Sequence, residues 1–272
     1  MTQSGVRRMR PLLGTFVEIG INSHHSQINA EQAINAAFSA IETLHNLLSF
    51  HEPSSELSLL NQSQGMAITV HSHTMRILHL AKGFMHASNG LFNCTVGGMM
   101  VAQGVLPNHG GNVNASGNAD DIEIVNGKVV LNNNIKITLD GIAKGYAVDC
   151  AIAALKRYGV HSAWVNAGGD LRVYGDLVLP MQRRELDGSF TALGKLQNAA
   201  LASSHVSKDY NKDFPGKIVS DIAKPALGVW SVISHYAWRA DALTKVASLA
   251  SEHDRIKIIE KLGGKLVYPV VF

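Results

Sequence analysis

Four short clusters combine glycines with residues able to handle charge: Leu13-Gly14-Thr15, Gly90 to Gly98 (GLFNCTVGG), Leu139 to Asp149 (LDGIAKGYAVD) and Asn166 to Asp170 (NAGGD). A glycine lets backbone amides approach a ligand closely, and a helix start presents unpaired N–H groups with a partial positive charge. In the third cluster Gly141 and Gly145 flank Lys144 where an apolar helical stripe begins, so amides and an ammonium would converge on a diphosphate. The same residues also suit a tight turn with a solvated lysine, and Gly168-Gly169-Asp170 also suits a bulge whose aspartate bonds its own backbone. No Gly-x-x-x-x-Gly-Lys-Ser/Thr and no Gly-x-Gly-x-x-Gly after a strand is present, which argues against a Walker loop and a Rossmann site. Asp241, Thr244 and Lys245 share one face of a helix that Asp241 opens. Asp with Thr suits a hard cation such as Mg²⁺, Asp with Lys an ordinary ion pair, and spacing fits both.

Other chemistries find less support. The chain has 13 histidines, but they form no recognised ligand pattern, and His79 and His86 read as helix surface or satisfied core. Neither a Gly-x-Ser-x-Gly elbow nor a Cys/His motif is present, so hydrolase chemistry gains little. A net charge of +3 without a dense basic face argues against a nucleic-acid binder. Two cysteines, Cys94 and Cys150, are too few and too far apart for a zinc cage or a disulfide framework. No export signal is visible, and no apolar run approaches the roughly 18–20 residues that cross a bilayer. These features make the cytoplasm the expected location.

The elements that must hold the clusters follow from periodicity. With 46% hydrophobic and 17% charged residues, the 272-residue chain can bury a large core, and no linker divides it, so a single domain over 1–272 is expected. Leu13 to Asn22 alternates as an opening strand. Ile34, Ala37, Phe38, Ile41, Leu44 and Leu48 form one helical stripe, Ser55-Glu56 caps a short helix, and Ser72 to Ala87 forms a second long helix ending near Asn89-Gly90. The Gly/Asn-rich stretch 104–121 reads as a flexible surface loop. A hairpin turns at Asn126-Gly127 between Ile122 to Val125 and Val129 to Leu131, and Ile135 to Leu139 continues as strand. Tyr146 to Tyr158 carries the strongest helical stripe, with Gly159 as its left-handed cap. Strands are expected at Ala163 to Asn166, Leu171 to Tyr174, Trp230 to Ser234 and Leu266 to Phe272, and a helix at Ala240 to Ser251, while Met181 to Lys195 fits no element.

Taken in order, the segments RPLLGTFVEI, SFHEPSSELSLLN, GLFNCTVGG, LDGIAKGYAVD, VNAGGDLRVYG and RADALTK resemble those of the ApbE family, the FAD:protein FMN transferases. The resemblance spans most of the chain and implies an α+β fold, one domain of mixed, largely antiparallel sheet with helices packed outside. It implies Mg²⁺-dependent transfer of FMN from FAD to a Ser or Thr hydroxyl of a flavoprotein acceptor, with AMP released. By position, Leu13, His51, Leu91, Phe92 and Asn93 would line the flavin or adenine, and Thr138, Gly141, Lys144, Gly168, Gly169 and Asp170 complete the cofactor contacts. The Gly141 carbonyl, Asp241 and Thr244 would be metal ligands, with Lys144 and Asp241 as catalytic groups, and Lys245, which the resemblance does not supply, is expected to be a third by adding charge where metal is weakly held. The chain departs from the family at Thr138 and Asn93, where aspartates are usual, and at Lys245, where a metal-binding Thr is usual. KIVSDIAKP (Lys217 to Pro225) is the nearest stretch to the family's His-Ile-Ile-Asp-Pro-x-Thr-Gly, and Ser203-Ser204-His205 replaces Thr-Ser-Gly. Two further readings stand beside transfer: an FAD-binding protein without transferase activity, and an FAD pyrophosphatase making FMN and AMP.

Overall fold

The computed structural model describes residues 5–22, 29–63, 65–111, 113–208 and 217–268. β1 (Gly5–Leu12) and β2 (Thr15–Asn22) form an antiparallel hairpin. Its two turn residues, Leu13 and Gly14, both have positive φ, 56° and 67°, as a two-residue hairpin turn of matching twist requires. α1 (Ala30–Leu48) starts at Asn29, whose side chain accepts from Gln32 N–H at 3.1 Å, and buries the stripe read from the sequence. α2 (Glu56–Gln62) starts at Ser55 as expected, with Ser55 Oγ accepting from Ser58 N–H. β3 (Ile68–Thr69) leads into α3 (Ser72–Ala87), which ends at left-handed Asn89 and Gly90. After α4 (Gly97–Ala102), β4 (Ile122–Val125) and β5 (Lys128–Leu131) form the Asn126-Gly127 hairpin, with β3 on the far side of β5.

α5 (Ala143–Arg157) ends before Gly159 at φ 78°. Next come β6 (Ala163–Ala167), β7 (Asp170–Tyr174), β8 (Leu179–Arg184), β9 (Phe190–Leu196), β10 (Ala200–Val206) and β11 (Gly228–Ser234). α6 (Ala237–Leu249), α7 (Arg255–Lys261) and β12 (Gly264–Val267) complete the described chain. The main sheet runs β1-β2-β6-β7-β10-β11-β12, and every pairing in it is antiparallel. This is the expected α+β class. One large apolar cluster joins α1, α3, α5 and α6 to the sheet, and Val173, Leu177, Met181, Leu193, Leu196 and Leu201 form a smaller one beneath β8 and β9. Each large apolar side chain so buried contributes about 1.5–3 kcal/mol before ordering is counted.

Several expectations are corrected. Ile135 to Leu139 is buried and, among the described residues, joins no strand ladder beyond an isolated bridge from Lys136 to Val96. Asn61 takes the place of a neighbouring strand there, its Oδ1 accepting from Ile137 N–H and its Nδ2 donating to Ile137 O, both at 2.8 Å. Stretch 104–121 is pinned at several points: Leu106 and Ala119 are buried, and Thr95 Oγ1 accepts from Gly117 N–H. Within 181–195, β8 and β9 pair as a hairpin whose inward Met181 and Leu193 are spaced too sparsely for the sequence to show. α6 begins at Ala237 rather than Ala240, so Asp241 lies inside the helix instead of opening it. Its cap comes from a distant residue, Asp149, which accepts from Ala237 N–H at 3.1 Å and Trp238 N–H at 3.0 Å. The closing strand is observed to Val267, and 269–272 lie outside the described residues.

Candidate functional site

α5 and α6 approach each other closely at Gly145, where a Cβ would stand 2.3 Å from Ala237 O. That approach lets Gly145 N–H donate to Asp241 Oδ2 at 3.3 Å. From the same turn of α5, Lys144 places Nζ 3.1 Å from Oδ2 of Asp170, the first residue of β7, near enough to pair though not aligned as a hydrogen bond. On α6, one turn beyond Asp241, the Lys245 ammonium donates to Asp241 Oδ1 and, at 3.2 Å, to Ser204 Oγ on β10. Thr244 Oγ1 donates to Asp241 O at 2.7 Å and sits 2.7 Å from Ser204 Oγ. Because the threonine proton is already used, Ser204 is the donor to Thr244, and the hydroxyls form a chain from Lys245 to the Asp241 carbonyl. Gly141 closes the floor: a Cβ there would lie 3.3 Å from Phe92 Cε2 and 3.4 Å from Lys245 Cε.

The charges are layered. Asp170 and Asp241 have side chains 2% and 1% exposed, whereas Lys144 and Lys245 are 36% and 19% exposed. Each ammonium thus stands over a carboxylate that water scarcely reaches, with the exposed Asp140 beside them. The charge of Asp170 raises the Lys144 pKa despite burial, with Asp241 and Asp140 adding to it. Burial pushes the Asp170 carboxyl up, Asp241 adds to that, and Lys144 and Lys245 oppose it. Asp140 stands at the rim, exposed to solvent. Its carboxyl is raised by desolvation among the protein atoms crowding it, against the pull of His51, Thr138, Lys144 and Lys245.

The fold thus gathers Phe92, Gly141, Lys144, Asp170, Asp241, Thr244 and Lys245, with His51 and Thr138 reaching the group through Asp140. The turn at Leu13 packs beside the glycine pair: a Cβ on Gly168 would be 2.7 Å from Thr15 Oγ1. Several amides expected to face a phosphate are already bonded. Ile142 and Ala143 donate to Leu139 O, Gly168 to Phe16 O and Gly169 to Asn166 Oδ1. The Asn93 side chain organises the next turn, accepting from Thr95 N–H and Oγ1 and donating to Gly117 O. Leu91 is half-buried directly after left-handed Gly90. An open cavity of about 590 Å³ lies between α4 and 217–225, walled by that segment rather than by the charged cluster. Its Ile222 comes 3.8 Å from a Cβ placed on Gly90.

Sequence reasoning left Ser204 and Asp140 out of the site. Besides its place in Ser203-Ser204-His205, Ser204 had a further signal: it follows Ala200 and Ala202, 0% and 1% exposed, at two-residue spacing, so a hydroxyl faces α6 from the buried side of a strand.

The sequence model of the ApbE family matches residues 13–268, which include every one of these side chains. The chain belongs to the ApbE family. A curated relative, FAD:protein FMN transferase of Rhodobacter capsulatus, is 28% identical over 240 residues, covering 78% of this chain and 45% of that protein. The chain therefore spans less than half the length of that relative. Among solved ApbE structures, the apo flavinyl transferase of Pseudomonas stutzeri is similar at TM-score 0.78 and 17% identity, covering 94% of this chain and 87% of that one. The Vibrio cholerae flavin transferase gives TM-score 0.78 and 18% identity, with 98% and 97% covered, and the Thermotoga maritima ApbE protein 0.77 and 21%, with 97% and 94%. At such identities the structures establish a shared ApbE fold.

Two of the three metal ligands expected for an ApbE protein, Asp241 and Thr244, already have protein partners. Asp241 Oδ1 and Oδ2 are taken by Lys245 and Gly145, and Thr244 Oγ1 by Ser204 and the Asp241 carbonyl. Among the described residues, no three His, Cys, Asp or Glu side chains come together to hold a metal ion. A hard divalent cation takes six or more oxygens, several of them usually carboxylate or water, and the set here does not fit one. The two cysteines are free, and among the described residues no helix is long and apolar enough to cross a membrane.

Proposed function

We propose that this chain transfers FMN from FAD to a Ser or Thr hydroxyl of a flavoprotein acceptor, releasing AMP, and that it acts as a single ApbE-like domain in the cytoplasm. Family membership supports the reading, and one observation carries it to the residues: two partly exposed ammonium groups from different helices each pair with a buried carboxylate of one cluster. Such a surface binds a diphosphate, whose oxygens accept charge-assisted hydrogen bonds. In the transfer, the acceptor hydroxyl oxygen forms a bond to the FMN phosphorus while the bond from that phosphorus to the bridging oxygen breaks. AMP leaves with the bridging oxygen, and the hydroxyl proton passes to a base, for which the exposed Asp140 carboxylate is our candidate. Lys144 and Lys245 hold the negative charge that grows on the bridging and non-bridging oxygens, so the protein acts by positioning and electrostatics. The two free cysteines agree with a reducing compartment.

The test uses the purified protein with FAD. Flavin fluorescence quenching measures binding, and AMP release is followed with and without an acceptor protein carrying a target Ser or Thr. Acceptor-dependent AMP with flavin covalently on the acceptor is the expected result. AMP and FMN formed equally without acceptor would make the protein a pyrophosphatase, and binding with no AMP a flavin carrier. Absence of FAD binding would overturn all three.

A further inference from the structure

Lys245 does more in this geometry than decorate a helix face. Its ammonium touches two of the oxygens around which a cation site would be built, Asp241 Oδ1 and Ser204 Oγ. The other expected side-chain ligand besides Asp241, Thr244, is joined to the lysine through Ser204. The stem of Lys245 reaches this position across Gly141, where a Cβ would lie 3.4 Å from Cε and 3.7 Å from Cγ. The lysine stem thus runs in ordinary van der Waals range of the space over Gly141. Two ammonium groups balance the two buried carboxylates, so the negative charge left over beside them is that of Asp140 at the exposed rim. An incoming doubly charged ion would meet Nζ at contact range, where repulsion between like charges is strong.

We infer that the Lys245 ammonium is the resident cation of this site, held where a divalent metal ion would otherwise sit, so that a diphosphate is bound by two lysines without a metal. The inference rests on the diphosphate reading above. A compact ammonium with three donors suits the role, since it can keep Asp241 and Ser204 while turning its third N–H toward a phosphate oxygen. The simpler view, an i,i+4 ion pair that only stiffens α6, predicts neither metal-independence nor any effect of Lys245 on the ligand.

Two measurements separate these views. In the first, Mn²⁺ is titrated into FAD-free protein and bound metal is read by electron paramagnetic resonance. The wild type is expected to bind no stoichiometric Mn²⁺, and Lys245→Thr, which exchanges the ammonium for a hydroxyl ligand, is expected to bind one per chain. In the second, FAD affinity is measured by fluorescence in EDTA and in Mg²⁺. Wild-type affinity should agree within about two-fold between the two conditions, about 0.4 kcal/mol. Lys245→Thr should lose about ten-fold or more in EDTA and recover it in Mg²⁺. Lys245→Met, which keeps the length of the stem and loses the charge, should also lose about ten-fold or more in EDTA, with circular dichroism confirming that both variants fold. One Mn²⁺ per wild-type chain, removed by Asp241→Asn, would overturn the inference. So would ten-fold tighter wild-type FAD binding in Mg²⁺, wild-type affinity in Lys245→Met, or absence of Mn²⁺ from Lys245→Thr. If no form binds FAD, the flavin reading falls, while the Mn²⁺ titration still decides the place of Lys245.

Discussion

Lys144 and Lys245 stand one above each of two buried carboxylates, and their separate attachments make their contributions separable. Removing Lys144 takes from buried Asp170 the ammonium it pairs with and takes one ammonium from the diphosphate. For Lys144→Met we expect FAD binding to weaken about ten-fold or more, in line with about 1.5–3 kcal/mol for a hydrogen bond to a charged group, as fluorescence titration would show. Wild-type affinity in that variant would place the diphosphate elsewhere. A second residue-scale prediction concerns His73, whose Nδ1 lies 3.0 Å from the Tyr146 hydroxyl. Burial holds its pKa below 6.5, with His71, Arg76 and Arg157 acting the same way. The unfolded chain takes up this proton at about pH 6.5 and the folded chain only lower down, so the stability involved is present above that pH and lost as pH falls through the folded value. The melting temperature should therefore drop more between about pH 7.5 and about pH 5.5 in the wild type than in His73→Gln. Equal drops in calorimetry would remove His73 from the acid response. At this scale the sequence was informative about which residue types matter and silent about their partners. Asp241 with Thr244 fitted a metal site and Asp241 with Lys245 an ion pair, and spacing fitted both, because the deciding atom, Ser204 Oγ, arrives from a strand 41 residues earlier.

At the scale of elements, the site depends on how α5 meets α6. Gly145 is the point of contact, and Gly145→Ala would drive a Cβ into backbone at 2.3 Å from Ala237 O and 2.7 Å from Trp238 Cα. Backbone cannot rotate away as a side chain can, so we expect destabilisation of at least about 1–3 kcal/mol, read as a melting point lower by about 2–4 °C per kcal/mol. An unchanged melting point would mean that the helices sit further apart. Asp149 is the second tie: one carboxylate caps α6 and pairs with Arg172, whose side chain is only 10% exposed. Asp149→Ala should cost about 3–5 kcal/mol by denaturant unfolding, the range for leaving a buried partner unpaired, whereas a cap alone is worth about 1 kcal/mol. A loss near the smaller figure would show that Arg172 finds water. The long amphipathic helices, the Asn126-Gly127 hairpin and the caps at Asn29 and Ser55 were legible because local sequence determines them. The start of α6 was not, since Tyr236 offers no cap of its own and the carboxylate comes from 88 positions away. Strand β10 was hidden for a related reason: its core-facing residues are two alanines and a serine, too small to register as a hydrophobic alternation.

For the whole molecule, the binding reading has a consequence that needs no variant. A ligand that binds only the folded state stabilises it by about 2.7 kcal/mol at one hundred times its dissociation constant. FAD should therefore raise the melting temperature by several degrees, and AMP alone, lacking the full diphosphate, by less. Equal shifts would point to recognition of the adenosine half. The seven-stranded sheet also leaves β1 as an open border, a row of backbone groups on which another chain could add a strand. That border is dressed against such pairing. Arg7 is held by Glu18, Arg8 by Glu31 at 2.9 Å, and Arg10 lies over the Phe38 ring at 4.5 Å, while Pro11 lacks a donor altogether. The three arginines and Pro11 thus place charge and a missing donor along this border, features that disfavour the addition of a strand from another chain.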